Sequence, residues 1–258
     1  MKKILVTGAN GQLGQCLQKI SDQYLELEFT FLNSKQLDIT SIHAVNTTFS
    51  SNHFDYCINC AAYTNVEQAE KTPEKAFKVN AEGVKNLALA CKENKVILIH
   101  ISTDYVFDGE KKEGYVPEDK PNPINEYGKS KLKGEEYIEN ILKEFLIIRT
   151  SWLYSEFGNN FYKTILQKAI SHEKIHVTDS QIGCPTNSNN LVQYLLQFIM
   201  FDSIDYGIRH YTDGEAMTWY GFAQRVLNEN NLVTKCNLEK AKNYRTFARR
   251  PKNSVLIQ

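Results

Sequence analysis

Tyr127 and Lys131 stand four residues apart in Tyr127-Gly128-Lys129-Ser130-Lys131, inside a stretch with helical spacing. Residues four apart share one helix face. A free phenol has a pKa of ~10. A neighbouring ammonium favours the phenolate and brings the group toward working pH. The pair therefore reads as a proton donor to a carbonyl undergoing reduction, with Lys131 also able to hold ribose hydroxyls. Lys129 falls on another face and is no substitute. Y-x-x-x-K is common by chance, so the pair needs a cofactor site and a substrate site around it.

A cofactor site is offered by Thr7-Gly8-Ala9-Asn10-Gly11-Gln12-Leu13-Gly14, directly after the first apolar strand and opening the first helix. Glycines at such a bend let the backbone approach a pyrophosphate, and the helix N-terminus supplies free N–H groups and partial positive charge. The candidates are Gly8, Asn10, Gly11, Gln12, Leu13 and Gly14. An acid usually ends the second strand where the ribose 2′-OH is held. Here Asn33, Ser34 and Lys35 stand instead and would accept a 2′-phosphate. NADP(H) is expected, with NAD(H) second; the alternative is that Lys35 is a solvated surface lysine. Asp38 and Ile39 are placed toward the adenine. A substrate site is offered by Ser102-Thr103-Asp104-Tyr105-Val106-Phe107, which follows a buried strand. Ligands in doubly wound folds bind outside the carboxyl ends of the strands. Thr103 would then hydrogen-bond the reacting oxygen.

The elements needed to position these residues are legible. Strands are expected over residues 3–6, 28–32, 56–59, 95–101 and 145–149, alternating with helices over 12–21, 41–50, 73–93 and 125–143. Near-continuous apolar strands such as Val96-Ile97-Leu98-Ile99 fit burial on both faces of a parallel sheet. After Trp152 the pattern changes. Helices over 160–170, 189–201 and 219–228 and strands near 175–178 and 207–211 suggest a smaller mixed region. The expected fold class is α/β: a Rossmann-like doubly wound parallel sheet over residues 1–152, with a smaller mixed α/β substrate region over 153–258 that partly returns to the sheet.

Composition narrows the function. The 258 residues carry 30 basic and 30 acidic side chains, which gives no net field for nucleic acid or anionic membrane. The longest apolar run is far short of the ~20 residues of a spanning helix. The N-terminal apolar run breaks at Thr7-Gly8, so no secretory core forms and a cytoplasmic protein is expected. Six scattered cysteines agree with that compartment. Cys57 and Cys60 spell C-x-x-C but sit at the end of an apolar strand, whereas redox dithiols open helices. His172-Glu173-Lys174-Ile175-His176 spells H-E-x-x-H, yet the helix is expected to end near Ile170, so the histidines would not converge on a metal. His43, His53, His100 and His210 form no spacing pattern and are read as structural or surface residues.

Together these motifs resemble the extended short-chain dehydrogenase/reductase superfamily and, within it, the dTDP-4-dehydrorhamnose reductase family. The resemblance is carried by GANGQLG at residues 8–14, LDIT at 37–40, NCAAYT at 59–64, VEQAE at 66–70 and VN at 79–80. It continues through STDYVFDG at 102–109, RTSWLY at 149–154, QIGCPT at 181–186 and RPKNS at 250–254. It implies hydride transfer from NADPH to C4 of a 4-keto-6-deoxy sugar on a nucleoside diphosphate. It implies Tyr127 as proton donor, Thr103 as support for the same oxygen and Lys131 as the residue orienting tyrosine and cofactor. Ala61, Ala62, Tyr63 and Asn80 are implied on the cofactor side. Asp104, Tyr105, Val106, Phe107, Trp152, Phe161 and Arg250 are implied on the substrate side. Related dehydratases carry Thr-Asp-Glu where this chain has Thr103-Asp104-Tyr105; a phenol is a poor base for elimination at neutral pH, so reduction is favoured. Cys60 replaces a usual alanine. Family members continue into a further helix beyond the point matching Gln258. Some are linked to Mg²⁺ and to homodimers, but residues 12–20 hold no acid that would suggest a metal there. A reductase of another nucleotide 4-keto sugar and a non-catalytic NADP-binding subunit are the alternatives.

Overall fold

The computed structural model describes residues 1–172, 174–241 and 245–258. In chain order the first part comprises β1 (Lys2–Thr7), α1 (Gln12–Ser21), β2 (Leu27–Leu32), α2 (Ile42–Ser51), β3 (Tyr56–Asn59), α3 (Val66–Lys71) and α4 (Pro73–Phe77). It continues with α5 (Val84–Asn94), β4 (Ile97–Thr103), α6 (Glu126–Ile141) and β5 (Phe145–Thr150). Then follow β6 (Leu153–Tyr154), α7 (Phe161–Ile170), β7 (Lys174–Val177), β8 (Ile182–Gly183), β9 (Thr186–Asn187) and α8 (Ser188–Met200). The last elements are β10 (Gly207–His210), β11 (Met217–Thr218), α9 (Trp219–Glu229) and β12 (Asn237–Lys240).

The main sheet has the order β10-β5-β4-β3-β1-β2, and every pairing in it is parallel. Side chains alternate across the strands. Leu5, Cys57, Leu98 and Ile147 face α2, α5 and α6, while Val6, Ile58, Ile99 and Ile148 face α1 and α8. Both faces are thus covered, which explains why the strands read as unbroken apolar runs. Strand order reverses between β1 and β3, and ligands in such sheets bind at that reversal, beyond the carboxyl ends of the strands. β10 lies beside β5, so the C-terminal half does return to the sheet. The remaining pairs, β8 with β11, β7 with β12 and β6 with β9, surround a separate cluster built from α7 and α9, including Ile165, Phe222 and Val226.

Three local expectations change. The helix expected over 73–93 is interrupted by a π-helical turn, Lys78–Gly83, and α3 precedes it. Such turns admit one extra residue and often mark functional sites. The fourth strand starts at Ile97, because Lys95 closes α5 in the left-handed region at φ 57°. Glu173 of the H-E-x-x-H string lies outside the described residues, but α7 ends at Ile170 and His176 belongs to β7. Cys57 is buried in β3, and all six cysteines are unpaired. Among the described residues no helix is long and apolar enough to cross a membrane.

Candidate active site and cofactor groove

After β1 the chain turns through Gly8 at φ 66°. A Cβ there would stand 2.6 Å from the backbone nitrogen of Ala61, so any side chain would push β1 and β3 apart at the reversal. At Gly14 a Cβ would stand 2.7 Å from the Ala9 backbone, so glycine lets α1 pack onto the turn; Gly14 lines neither of the two cavities at this turn. Gly11 is the N-cap of α1, with no side-chain cap and no acid in the first turn. Uncapped N–H groups at a helix start with no competing carboxylate suit a pyrophosphate, so the residues present fit the dinucleotide.

A cavity of about 300 Å³ opens at this turn. Gly8, Asn10, Gly11, Asn33, Ser34, Asp38, Ile39, Ala61, Ala62 and Tyr63, all named from the sequence, line it. Leu37, Thr40, Cys60 and Val79 line it as well; the sequence reading placed them in motifs of the resemblance but not among the cofactor residues. Lys35 is exposed and outside the lining; its backbone N–H donates to Asn33 Oδ1 at 2.9 Å, which shapes the turn. A second cavity of about 600 Å³ shares Asn10, Gly11, Cys60 and Ala62 with the first. It adds Gln12, Leu13, Tyr127 and Lys131, together with Thr64, Ser102 and Leu153. Gln12 anchors this rim: its Nε2 donates to Ser188 Oγ at 2.9 Å, and Asn160 Nδ2 donates to its Oε1 at 2.7 Å.

Helix α6 carries the two ionisable residues. Asn125 caps it by accepting the Gly128 N–H at 2.7 Å. A Cβ on Gly128 would stand 2.1 Å from the Tyr105 carbonyl oxygen, so glycine lets α6 lie directly on the turn that ends β4. That approach sets the Tyr127 phenol close to the Thr103 hydroxyl. Burial pushes the phenol above its ordinary range; Thr103 opposes the shift and Asp104 adds to it. The sequence predicts the opposite direction, with Lys131 drawing the phenol down. Lys131 instead donates to the Ile101 carbonyl at 2.6 Å and meets His100 Nε2 at 3.3 Å. Burial lowers Lys131 to about 8, against the pull of Glu135 and Cys60. A phenol held protonated is the form that can donate a proton.

The surroundings are tightly bonded. Asn80, in the π-helical turn, is fully buried and lines neither cavity. It accepts the Tyr63 N–H at 2.8 Å, donates to the Tyr63 carbonyl at 2.9 Å and donates to Ser130 Oγ at 3.0 Å. It therefore holds the cavity wall from behind. Glu135 and Arg149 form a buried pair, Arg149 Nη2 donating at 2.7 Å, and Ser102 Oγ donates to the same carboxylate. His100, read from sequence as structural or surface, is buried against Lys131. A histidine inside the apolar run of β4 was the signal for it.

The expected substrate-side residues divide. Tyr105 packs edge-on against Tyr127, with ring centroids 5.9 Å apart. Arg250 donates to the Tyr105 hydroxyl at 3.4 Å and to Glu67 Oε1 at 2.9 Å. Trp152 is held at φ 47° and stacks on Trp219 at 3.5 Å, while Phe161 tilts against Trp219 at 4.6 Å. None of these four lines either cavity. Val106 and Phe107 do not belong to a substrate surface: both are fully buried with Tyr115 and Leu256, and Phe107 stacks on Tyr115 at 4.2 Å. Asp104 is buried as well, accepting from Thr103 Oγ1 at 3.0 Å and Ser254 Oγ at 2.5 Å. Burial pushes its carboxyl up to about 6. Among the described residues no three His, Cys, Asp or Glu side chains converge to hold a metal ion.

The family model described as "RmlD substrate binding domain" matches residues 1–258. The chain is 39% identical to dTDP-4-dehydrorhamnose reductase of Aggregatibacter actinomycetemcomitans, over 99% of this chain and 90% of that protein. It is 34% identical to dTDP-4-keto-6-deoxy-D-glucose reductase of Streptomyces niveus, over 85% of this chain and 76% of that one. A crystal structure of the Bacillus anthracis dTDP-4-dehydrorhamnose reductase in complex with NADP superposes with a TM-score of 0.95 at 37% identity, covering 100% of this chain and 91% of that chain. By the family model over its whole length and by these relatives, this chain belongs to the dTDP-4-dehydrorhamnose reductase family.

Proposed function

We propose that this protein reduces C4 of dTDP-4-dehydro-L-rhamnose at the expense of NADPH and releases dTDP-L-rhamnose. The observation that carries the reading is that Tyr127, close to Thr103, and Lys131 line a cavity that shares its wall with the glycine-turn groove. Asn33, Ser34 and Lys35 would hold the 2′-phosphate, Asp38 and Ile39 the adenine side, and the start of α1 the pyrophosphate. When bound, the dinucleotide supplies the hydride. Tyr127 then donates its phenolic proton to the oxygen on C4. Thr103 hydrogen-bonds that oxygen and keeps it in line with the phenol. Lys131 steadies the phenolate left behind and holds the ribose hydroxyls. Tyr105 stands where elimination would need a carboxylate, so the site favours reduction.

We assign residues 1–152 to the cofactor and the chemistry, and 153–258 to the nucleotide sugar, with Trp152, Phe161 and Arg250 at its edge. The unpaired cysteines support a cytoplasmic setting. The Streptomyces niveus relative favours one second reading, a neighbouring 4-keto-6-deoxy sugar as substrate. Incubation with C4-deuterated NADPH and each sugar nucleotide separates the readings. Deuterium at C4 of dTDP-rhamnose supports the first; label only in the glucose-derived product supports the second. No label in either product, with NADPH bound, would leave a binding role.

A further inference from the structure

Thr7, Asn59 and His100 are register neighbours across β1, β3 and β4, and all three are buried. Their hydrogen bonds leave one arrangement. The Ala61 backbone N–H donates to Asn59 Oδ1 at 3.1 Å, and the Thr7 hydroxyl donates to the same oxygen at 2.6 Å. A backbone N–H only donates, so it fixes which end of the amide is oxygen. The Asn59 amide nitrogen therefore faces His100 Nδ1, at 2.9 Å. That nitrogen also only donates, so Nδ1 accepts. A neutral imidazole carries one N–H, and burial holds His100 neutral, well below its ordinary range, with Lys131 adding to the effect. The proton is then on Nε2, and it points at Lys131 Nζ, 3.3 Å away. An ammonium has no lone pair to receive it; an amine does.

We propose that His100 is a positioning residue of the reduction: fixed as its Nε2–H tautomer by Asn59, it hydrogen-bonds the amine of Lys131 and opposes the ammonium. The inference rests on the reading of Lys131 as part of the reductive site. Lys131 donates to the Ile101 carbonyl in either form. Glu135 on the same helix favours the ammonium, but its charge is shared with Arg149 and Ser102; Cys60 also favours it, more weakly. Tyr127, one turn back on α6, stands close to Thr103 and Asp104. Among the polar groups named, His100 alone works with burial to favour the amine. The consequence is a lysine that exchanges its proton close to working pH while remaining tied to β4.

Ring ¹⁵N NMR of the cofactor-free protein, with His100→Gln identifying the resonance, tests the tautomer. A protonated Nε2 and a bare Nδ1 are expected; the reverse tautomer or a charged ring overturns the proposal. The alkaline limb of kcat/KM for sugar-dependent NADPH oxidation tests the role. A glutamine oxygen at position 100 would accept from the ammonium. The limb should then move up by about one pH unit, leaving roughly five times more activity one unit above the native midpoint. Asn59→Asp accepts from Nδ1–H, reverses the tautomer and should move the limb the same way, so the test survives if one variant does not fold. Unmoved limbs in folded variants overturn the role. Absence of any sugar-dependent turnover would instead sink the functional reading, and the NMR result would still decide the tautomer.

Discussion

Asn80 grips Tyr63 at both backbone atoms, accepting its N–H at 2.8 Å and donating to its carbonyl at 2.9 Å. The grip depends on the π-helical turn, which offers Asn80 to the loop after β3, and on Gly134, where a Cβ would stand 2.2 Å from the Asn80 carbonyl oxygen. A residue that lines neither cavity thus sets the shape of one. Asn80→Ala breaks two backbone bonds and orphans buried groups, costing about 1–3 kcal/mol. The KM for NADPH should rise several-fold while kcat changes little. Denaturant melts and steady-state kinetics check both halves, and an unchanged KM would remove Asn80 from the groove.

The pair of Glu135 and Arg149 links α6 to β5 beneath the site. Neither partner is exposed, so removing one leaves a buried charge without its counterion. Glu135→Ala should cost about 3–5 kcal/mol. The loss appears as a lowered denaturation midpoint, with Ser102 and Arg149 both left unsatisfied. A change below 1 kcal/mol would mean that water replaces the carboxylate.

His210 Nδ1 bonds the carbonyls of Tyr115 and Ile257, and so ties β10 to the C-terminal segment. Burial, then Arg149, lowers this histidine to about 4. Its folded-state value lies below the unfolded ~6.5, so the stability it contributes is complete above that pH and is lost as pH falls toward 4. The difference is worth about 3 kcal/mol. His210→Gln should flatten the fall in melting temperature between pH 6.5 and 4, leaving the part that His100 contributes. Parallel curves for native protein and variant would contradict this.

Much of the fold was legible because the sheet is buried on both faces: its strands are unbroken apolar runs, and glycine marks the first crossover. The cofactor groove was legible for the same reason, since Gly8 and Gly11 answer a local backbone demand. Val106 and Phe107 were misplaced because proximity to Thr103 in sequence says nothing of direction; the helical turn after β4 drives both into the core. The state of Lys131 was not legible either. It comes from burial against β4, where His100, thirty-one positions away in sequence, stands 3.3 Å from its nitrogen. The π-helical turn, too, leaves the apolar spacing of residues 73–94 nearly unchanged while moving Asn80 under Tyr63.

The central claim is proton donation by Tyr127 to a reduced sugar oxygen. It is tested most directly by following NADPH absorbance with dTDP-4-dehydro-L-rhamnose, using native protein and Tyr127→Phe side by side. The account predicts sugar-dependent oxidation by the native chain. It predicts a 10²–10⁴-fold lower kcat for the variant, in keeping with loss of a general acid, with NADPH affinity unchanged. Turnover by Tyr127→Phe at the native rate would contradict it.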